Sequence, residues 1–462
     1  MTETNETVPS AASGGRTESP HRDITCPVNV KPPSSLLECV PPFTRSSRLA
    51  RRECYPLAGL CVLGAVLRLG LIAALMMHVH SPARLWRSGT EVAAIAVSIL
   101  NGHGFGSPFS VPTGPTSWVA PIYPLFTVMA FKIWGGYSFA SLTSLLALNL
   151  LCSTVVTILI YYAGRRYFDM RTAWTATILW TISPYAIGMA SKIWDSNLSV
   201  LWATVALVLY LQVGKAGSRT RDWVFYGLFW AVAALTSTSL VVLLIPPLVV
   251  LGLRDHARMG LRVVVAFTVM SIVVLPWSVR NYVQFHRVIP IRGNFGAELW
   301  YGNRPGPRLP GDEYSNPAAN AQELRAYVEM GESGYFTSRR RLAMDAIRRD
   351  PVRFLKLTLA RVAYFWRSDE FPFGWIPFLA FVGVIGLLRQ NAFLVAPFVS
   401  ALLLYPIPYY ITHADWNYRY PIVPTLLLPA SSGLLMLIGR LAMLVRRRLP
   451  SISAEGVIPS SN

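Results

Sequence analysis

Charge is what this sequence has least of. Only 14% of its 462 residues are charged and 53% are hydrophobic, against roughly 25% charged in ordinary soluble domains. That balance excludes a conventional soluble globular fold. Carboxylates are scarcer still: 23 Asp and Glu stand against 42 Lys and Arg, and between Glu53 and Asp169 the only acidic residue is Glu91. The five cysteines, Cys26, Cys39, Cys54, Cys61 and Cys152, match no zinc or redox spacing, so neither a disulfide nor a structural metal is expected. The strict alternation of apolar and polar residues that a membrane β-barrel needs is missing too. The net charge of +19 comes without any RNA- or DNA-binding motif, so no nucleic-acid partner is expected. The arginines read instead as caps on cytoplasmic helix ends, facing anionic lipid.

What is present is a succession of apolar runs, several near or beyond about 18 residues, the mark of an all-α polytopic membrane protein. Residues 1–47 are rich in Ser, Thr, Pro and charge and read as a disordered cytoplasmic tail. The first apolar run, 56–78, comes too late and is too long for a cleavable signal. The cationic RSSRLARRE before it places the amino terminus inside, which puts the Glu91 loop outside. Segment 121–134 is short, opens with Pro121 and contains Lys132, so it reads as lying at the outer interface. Crossings follow at 142–163, 173–190, 200–213, 223–235, 240–253, 263–277, 373–388, 393–411 and 422–445, about ten in all. Residues 223–253 read as one tilted helix or two short ones.

The expected organisation is therefore a tail (1–47), an N-terminal transmembrane catalytic module (48–279) with its first outer loop (79–141), a long outer segment (280–370), C-terminal transmembrane helices (371–445) and a second cytoplasmic tail (446–462). The many arginines of the long outer segment do not upset this orientation, because loops beyond about 60 residues escape the positive-inside rule. Within it, 322–330 and 337–347 read as helices, and 351–366 as an amphipathic helix suited to the membrane surface.

The polar candidates collect on the outer face. Glu91 opens a helix too short to span. Asp195, in SKIWDSNLS, either caps a helix starting at Asn197 or pairs with Glu91, two carboxylates dividing general-base and orienting or metal-binding duties. Arg280 and Asn281 follow Pro276 and Trp277; Arg419 lies in HADWNYRYP with His413 and Asp415. Each arginine reads either as a snorkelling cation or as a clamp on phosphate, whose oxygens match the planar fork. Asp415 also reads as an ion-pair partner for Arg419. GHGFG at 102–106 has no strand before it and reads as a turn, with His103 structural.

Several motifs then add up. E-x3-IA-x3-L-x-G-x-GF-x-SPF, starting at Glu91, is followed in order by TGPTSWVAPIYPLF, LPWSVRNY, ELWYGNRPG, E-x2-AYVEMGESGYF and THADWNYRYPIVP. Together they resemble membrane glycosyltransferases of the C-type fold, in the bacterial branch related to protein O-mannosyltransferases and the aminoarabinose transferase of lipid A. The resemblance implies an inverting enzyme of a bacterial inner membrane, with both termini cytoplasmic and a periplasmic active site. It would take a sugar from a polyprenyl-phosphate donor and pass it to a lipid, glycan or protein. It also implies Glu91 and Asp195 as catalytic acids, Arg280 and Arg419 at the donor phosphate, and Asn281, Asn303, His413 and Asp415 at the substrate, among membrane lipids. Many relatives carry an acidic pair where Ser88, Gly89 and Thr90 precede Glu91. That rests the base on Glu91 and argues against a loop-bound metal, although a divalent cation stays open. The rival reading is a lipid or glycolipid transporter without covalent chemistry. It is disfavoured because the sequence shows no internal repeat and the candidate residues sit at the outer ends of spans, not midway.

Overall fold

The computed structural model describes residues 51–78, 86–109, 111–215, 217–254, 256–306, 316–366 and 374–448. The tail expected at 1–47 and residues 449–462 lie outside them. Among the described residues there is no strand, only an isolated bridge between Gly106 and Pro115. Six helices among the described residues are long and apolar enough to cross a membrane: Arg52–His78, Phe139–Tyr167, Ser196–Val213, Gly260–Phe285, Ala392–Ile411 and Trp416–Val445. Helices suit that task because all their backbone groups bond within the segment. This is an all-α, multi-pass membrane protein.

The four other expected crossings take shorter or broken forms, for local reasons. Segment 173–190 is not one helix. Met170–Ile182 ends at Ser183, which adopts an extended conformation (ψ 117°), and a six-residue helix, Pro184–Met189, begins there with the Ser183 side chain as its cap. Pro184 has no N–H to continue the first helix and disfavours the helical state of the residue before it. Segment 223–253 resolves into two elements, because Ser237 (φ −150°, ψ 114°) separates Thr220–Thr236 from a 3-10 turn at Thr238–Leu244 and the helix Ile245–Arg254. Ile376–Leu388 is a 13-residue helix. In the other direction, His256–Phe285 runs eight residues past the expected end of its span, straight through Pro276. Arg280 and Asn281 therefore sit on its last turns and not beyond it. The helices at Thr90–Leu100 and Ile122–Trp134 are short as expected; 13 residues reach about 20 Å, less than the ~30 Å hydrocarbon core.

One central core joins Trp180, Tyr210, Trp223, Trp230, Leu387, Phe398, Tyr420 and Leu427 from most of the helices. The helices Ile376–Leu388 and Val423–Arg448 meet through glycine. A methyl group on Gly433 would fall 2.3 Å from the Leu379 carbonyl oxygen, and one on Gly383 1.9 Å from that of Pro429. Small residues allow such approach where lipid supplies no hydrophobic drive between helices. The helix Gly260–Phe285 instead leaves Leu261, Val264, Ile272 and Leu275 exposed, as a lipid-facing helix does. Arg68 is buried midway along the helix Arg51–His78, but the ion pairs gather at the two ends. One end carries the Glu53–Arg165 ion pair and the Arg262–Ser218 bond; the other gathers residues 86–121, 190–195, 237–239, 280–306 and 411–419. Gly433→Val should force these two helices apart. Overpacking of this kind costs about 1–3 kcal/mol, so a clear fall in the unfolding temperature of detergent-solubilised protein is expected, and an unchanged temperature would contradict the tight packing.

Candidate active site

Asp195 stands at the start of the helix Ser196–Val213, but its side chain makes no capping bond there. The carboxylate turns elsewhere, to a hydrogen bond from the Ser237 side chain and to the charge of Arg292. Burial pushes its pKa up to about 6, against the lowering effects of Arg292 and Ser237. The turn before it is pinned by Asn149, whose Nδ2 donates to the Ala190 and Lys192 carbonyls at 3.1 and 2.8 Å. Glu91 approaches from the other side. The backbones of Gly89 and Ile193 are so close that a methyl group at Gly89 would lie 2.6 Å from the Ile193 carbonyl oxygen. Two residues beyond that contact, on each strand of chain, come Glu91 and Asp195. Glu91 accepts a bond from the Thr90 hydroxyl at 3.2 Å. It lies one turn before Ile95, which is fully buried in a cluster with Trp118 and Tyr301.

Arg292 is the cation that faces Asp195, and much of the surrounding structure fastens it. Its Nε donates to the Trp118 carbonyl at 2.9 Å, and Nη2 lies 4.0 Å from Glu298. The residues just before it are tied to the end of the helix His256–Phe285. Asn281 Nδ2 donates to the Ile289 and Ile291 carbonyls (3.0 and 3.1 Å), Trp277 Nε1 to Ile291 (3.0 Å) and Ser278 Oγ to Pro290 (2.8 Å). Each neutral bond is worth about 1 kcal/mol net, so four together hold the turn well above thermal energy. Asn281 is completely buried; its Nδ2 donates to the protein's own backbone, and its Oδ1 accepts from Arg280 Nη1 at 2.9 Å.

Glu298 extends the array. It accepts from Asn294 Nδ2 at 2.6 Å and pairs with His413 Nδ1 at 3.1 Å, while His413 Nε2 meets the Tyr418 hydroxyl at 2.8 Å. Burial raises the Glu298 carboxyl, but His413 and Arg292 more than offset this and leave it below its ordinary value. Asp195, Arg292, Glu298 and His413 thus form one linked row.

The other candidates fall around this row. Arg280 gives Nη1 to the Thr116 carbonyl (2.7 Å) and Nη2 to that of Phe105, beneath the rings of Phe105 and Trp277. Buried Arg419 donates to the Phe365 carbonyl at 2.6 Å, at the end of the helix Pro351–Trp366, where orphan carbonyls and the helix dipole favour a cation. Asp415 does not turn to it but caps Asn417 N at 2.7 Å. Asn303 is buried, donates to Leu299 and Ile411, and accepts from Arg361. His103 is exposed beside Gly102 and Gly104, both at positive φ, so GHGFG is a turn. Among the described residues no three His, Cys, Asp or Glu side chains gather as a metal site.

Residues 119–280 match the family described as dolichyl-phosphate-mannose-protein mannosyltransferase. Over nearly the whole chain the backbone follows the oligosaccharyltransferase of Archaeoglobus fulgidus. The form tethered to an acceptor peptide is 14% identical, with a TM-score of 0.50 over 88% of this chain and 52% of that one. The form with an inhibitory peptide and dolichol-phosphate is 13% identical, again at 0.50, over 89% and 53%. The fold is that of a C-type glycosyltransferase. The chain spans about half the length of those archaeal proteins. ArnT from Cupriavidus metallidurans, solved with undecaprenyl phosphate, is 14% identical over 82% of this chain and 80% of its own, at a TM-score of 0.32. No curated protein sequence matches.

On this C-type scaffold the sequence motifs acquire separate tasks. LPWSVRNY supplies the brace (Trp277, Ser278, Asn281) for a cation it does not contain, and ELWYGN supplies Glu298. Arg292 and Glu298 were not among the sequence candidates. IPIRGN, which holds Arg292, belongs to none of the motifs quoted above, and its one legible signal is a lone arginine just after a β-branched turn. Because Arg292 lowers the Asp195 pKa, Arg292→Met should lift it above about 6. The carboxyl infrared band of Asp195, identified by its loss in Asp195→Asn, would report this; a titration that stays put would separate the two residues.

Proposed function

We propose that this protein is a glycosyltransferase that takes a sugar from a polyprenyl-phosphate donor at the periplasmic face of a bacterial inner membrane and passes it, with inversion, to a nucleophilic acceptor. The observation that carries the reading is Arg292 set between the carboxylates of Asp195 and Glu298 at the end of an apolar helix bundle. A donor of this class has a hydrocarbon tail for the bundle and a phosphate for a guanidinium at its mouth. The A. fulgidus protein solved with dolichol-phosphate and the family description of residues 119–280 support the same donor class.

Asp195 is the general base in this scheme. An acceptor oxygen or nitrogen attacks the anomeric carbon as its proton passes to Asp195. The bond from that carbon to the phosphate oxygen breaks, and polyprenyl phosphate leaves with the bonding pair. One displacement of this kind inverts the anomeric centre. A base works best with a pKa near the working pH, and about 6 leaves Asp195 ionised at neutrality yet more basic than an ordinary aspartate. Arg292 neutralises the departing phosphate through a preformed charge. Glu91, beside the same turn, orients the acceptor, while Arg280 and Arg419 hold the loops that frame the site.

Asp195→Asn should lower release of polyprenyl phosphate from a panel of polyprenyl-phosphate hexoses and pentoses by more than about a hundredfold, with membrane insertion unchanged. Glu91→Gln should retain more activity than Asp195→Asn; the reverse order would return the base to Glu91. In the wild type the rate should fall about tenfold per unit as the pH drops below about 6, because protonated Asp195 accepts no proton. A rate flat from pH 7 to 4.5 would remove Asp195 from the chemistry.

A further inference from the structure

Between the first loop and the long polar segment lies a buried carboxylate that the proposed chemistry does not use. Glu332 is 4% exposed and receives four hydrogen bonds. Oε1 accepts from Ser117 N (2.5 Å) and Ser117 Oγ (2.6 Å), and Oε2 from Thr116 Oγ1 and Tyr327 OH (both 2.5 Å). The chain bends to deliver it: the helix Ala321–Arg349 breaks one residue earlier at Gly331 (φ 66°, ψ 163°), a conformation suited only to glycine. On their other side the gripped residues hold the candidate site. Ser117 O accepts from Gly293 N (3.1 Å), and Trp118 O accepts from Arg292 Nε (2.9 Å). A donor count this high around one buried carboxylate fixes the backbone of 116–118 far more firmly than a loop's own bonds would.

We propose that Glu332 is a positioning residue for Arg292, acting through Ser117 and the Trp118 carbonyl so that the guanidinium keeps its aim at the donor phosphate. This rests on the reading of Arg292 given above. Burial outweighs the lowering effect of the four donors and leaves the Glu332 carboxyl above its ordinary value, while the charge of Arg280 lies within its electrostatic reach. Arg280 adds a second grip on the same loop at the Thr116 carbonyl. The carboxylate is thus the fixed point from which the orientation of Arg292 is set.

A double-mutant cycle tests this with undecaprenyl phosphate as the probe, its Kd measured on the full-length protein in detergent. Glu332→Gln keeps the volume but replaces one acceptor by a donor, and should weaken binding about tenfold, matching roughly 1.4 kcal/mol. In an Arg292→Met background the same substitution should change Kd less than twofold. Tyr327→Phe, which removes a single bond, should give a smaller loss with the same pattern and serves if Glu332→Gln folds poorly. The infrared titration of Asp195 should also move upward in Glu332→Gln, in the direction given by Arg292→Met. The other groups facing Asp195, namely Tyr123, Tyr405 and Tyr409, are unchanged in that variant. A full tenfold loss that persists without Arg292 would overturn the positioning role and leave Glu332 as a fold element. Normal binding in Arg292→Met alone would instead overturn the reading of Arg292 itself.

Discussion

A guanidinium placed against carboxylates at the mouth of an apolar bundle is the constraint on which this structure turns. Bringing charge out of water is expensive unless geometry and hydrogen bonds compensate. Arg292 is met by Glu298, by the Trp118 carbonyl and by the field of Asp195. Each partner is itself secured, Glu298 by Asn294 and His413, and Trp118 by the loop that Arg280 and Glu332 grip. The polar end of the molecule is therefore one continuous scaffold and not a set of independent loops.

The bundle below explains where that scaffold can form. Chain breaks at Ser183 and Ser237 stop helices short of full spans and release Asp195 and Ser237 at the same level. The helix His256–Phe285 does the opposite. By continuing through Pro276 it carries Trp277, Ser278 and Asn281 into reach of the 289–291 turn. A polar site at a helix-bundle end needs both effects: short elements to release its side chains and one long element to brace them.

Much of this was legible in the residues. Low charge and long apolar runs declare the membrane class, and the helix Pro351–Trp366 coincides with its amphipathic pattern. Ordered motifs point to the C-type fold. Breaks were harder to read, since hydropathy runs smoothly across Pro184 and Ser237 while backbone geometry does not. Roles inside motifs were harder still. Asn281 and Asn303 read as ligands because polar residues near a helix end invite it, and their bonds to backbone carbonyls are written in no local pattern. Arg292 passed unnoticed because its importance comes from contacts with residues 97 positions before it and six after it, a pairing that no local pattern encodes.

The most direct measurement is an experimental structure of the protein with undecaprenyl phosphate bound. The phosphate should lie within hydrogen-bond distance of the Arg292 guanidinium, on the side facing Asp195, with the hydrocarbon chain running down the bundle. A phosphate held instead by Arg419 or Arg280, with Arg292 still turned to Glu298, would contradict the account.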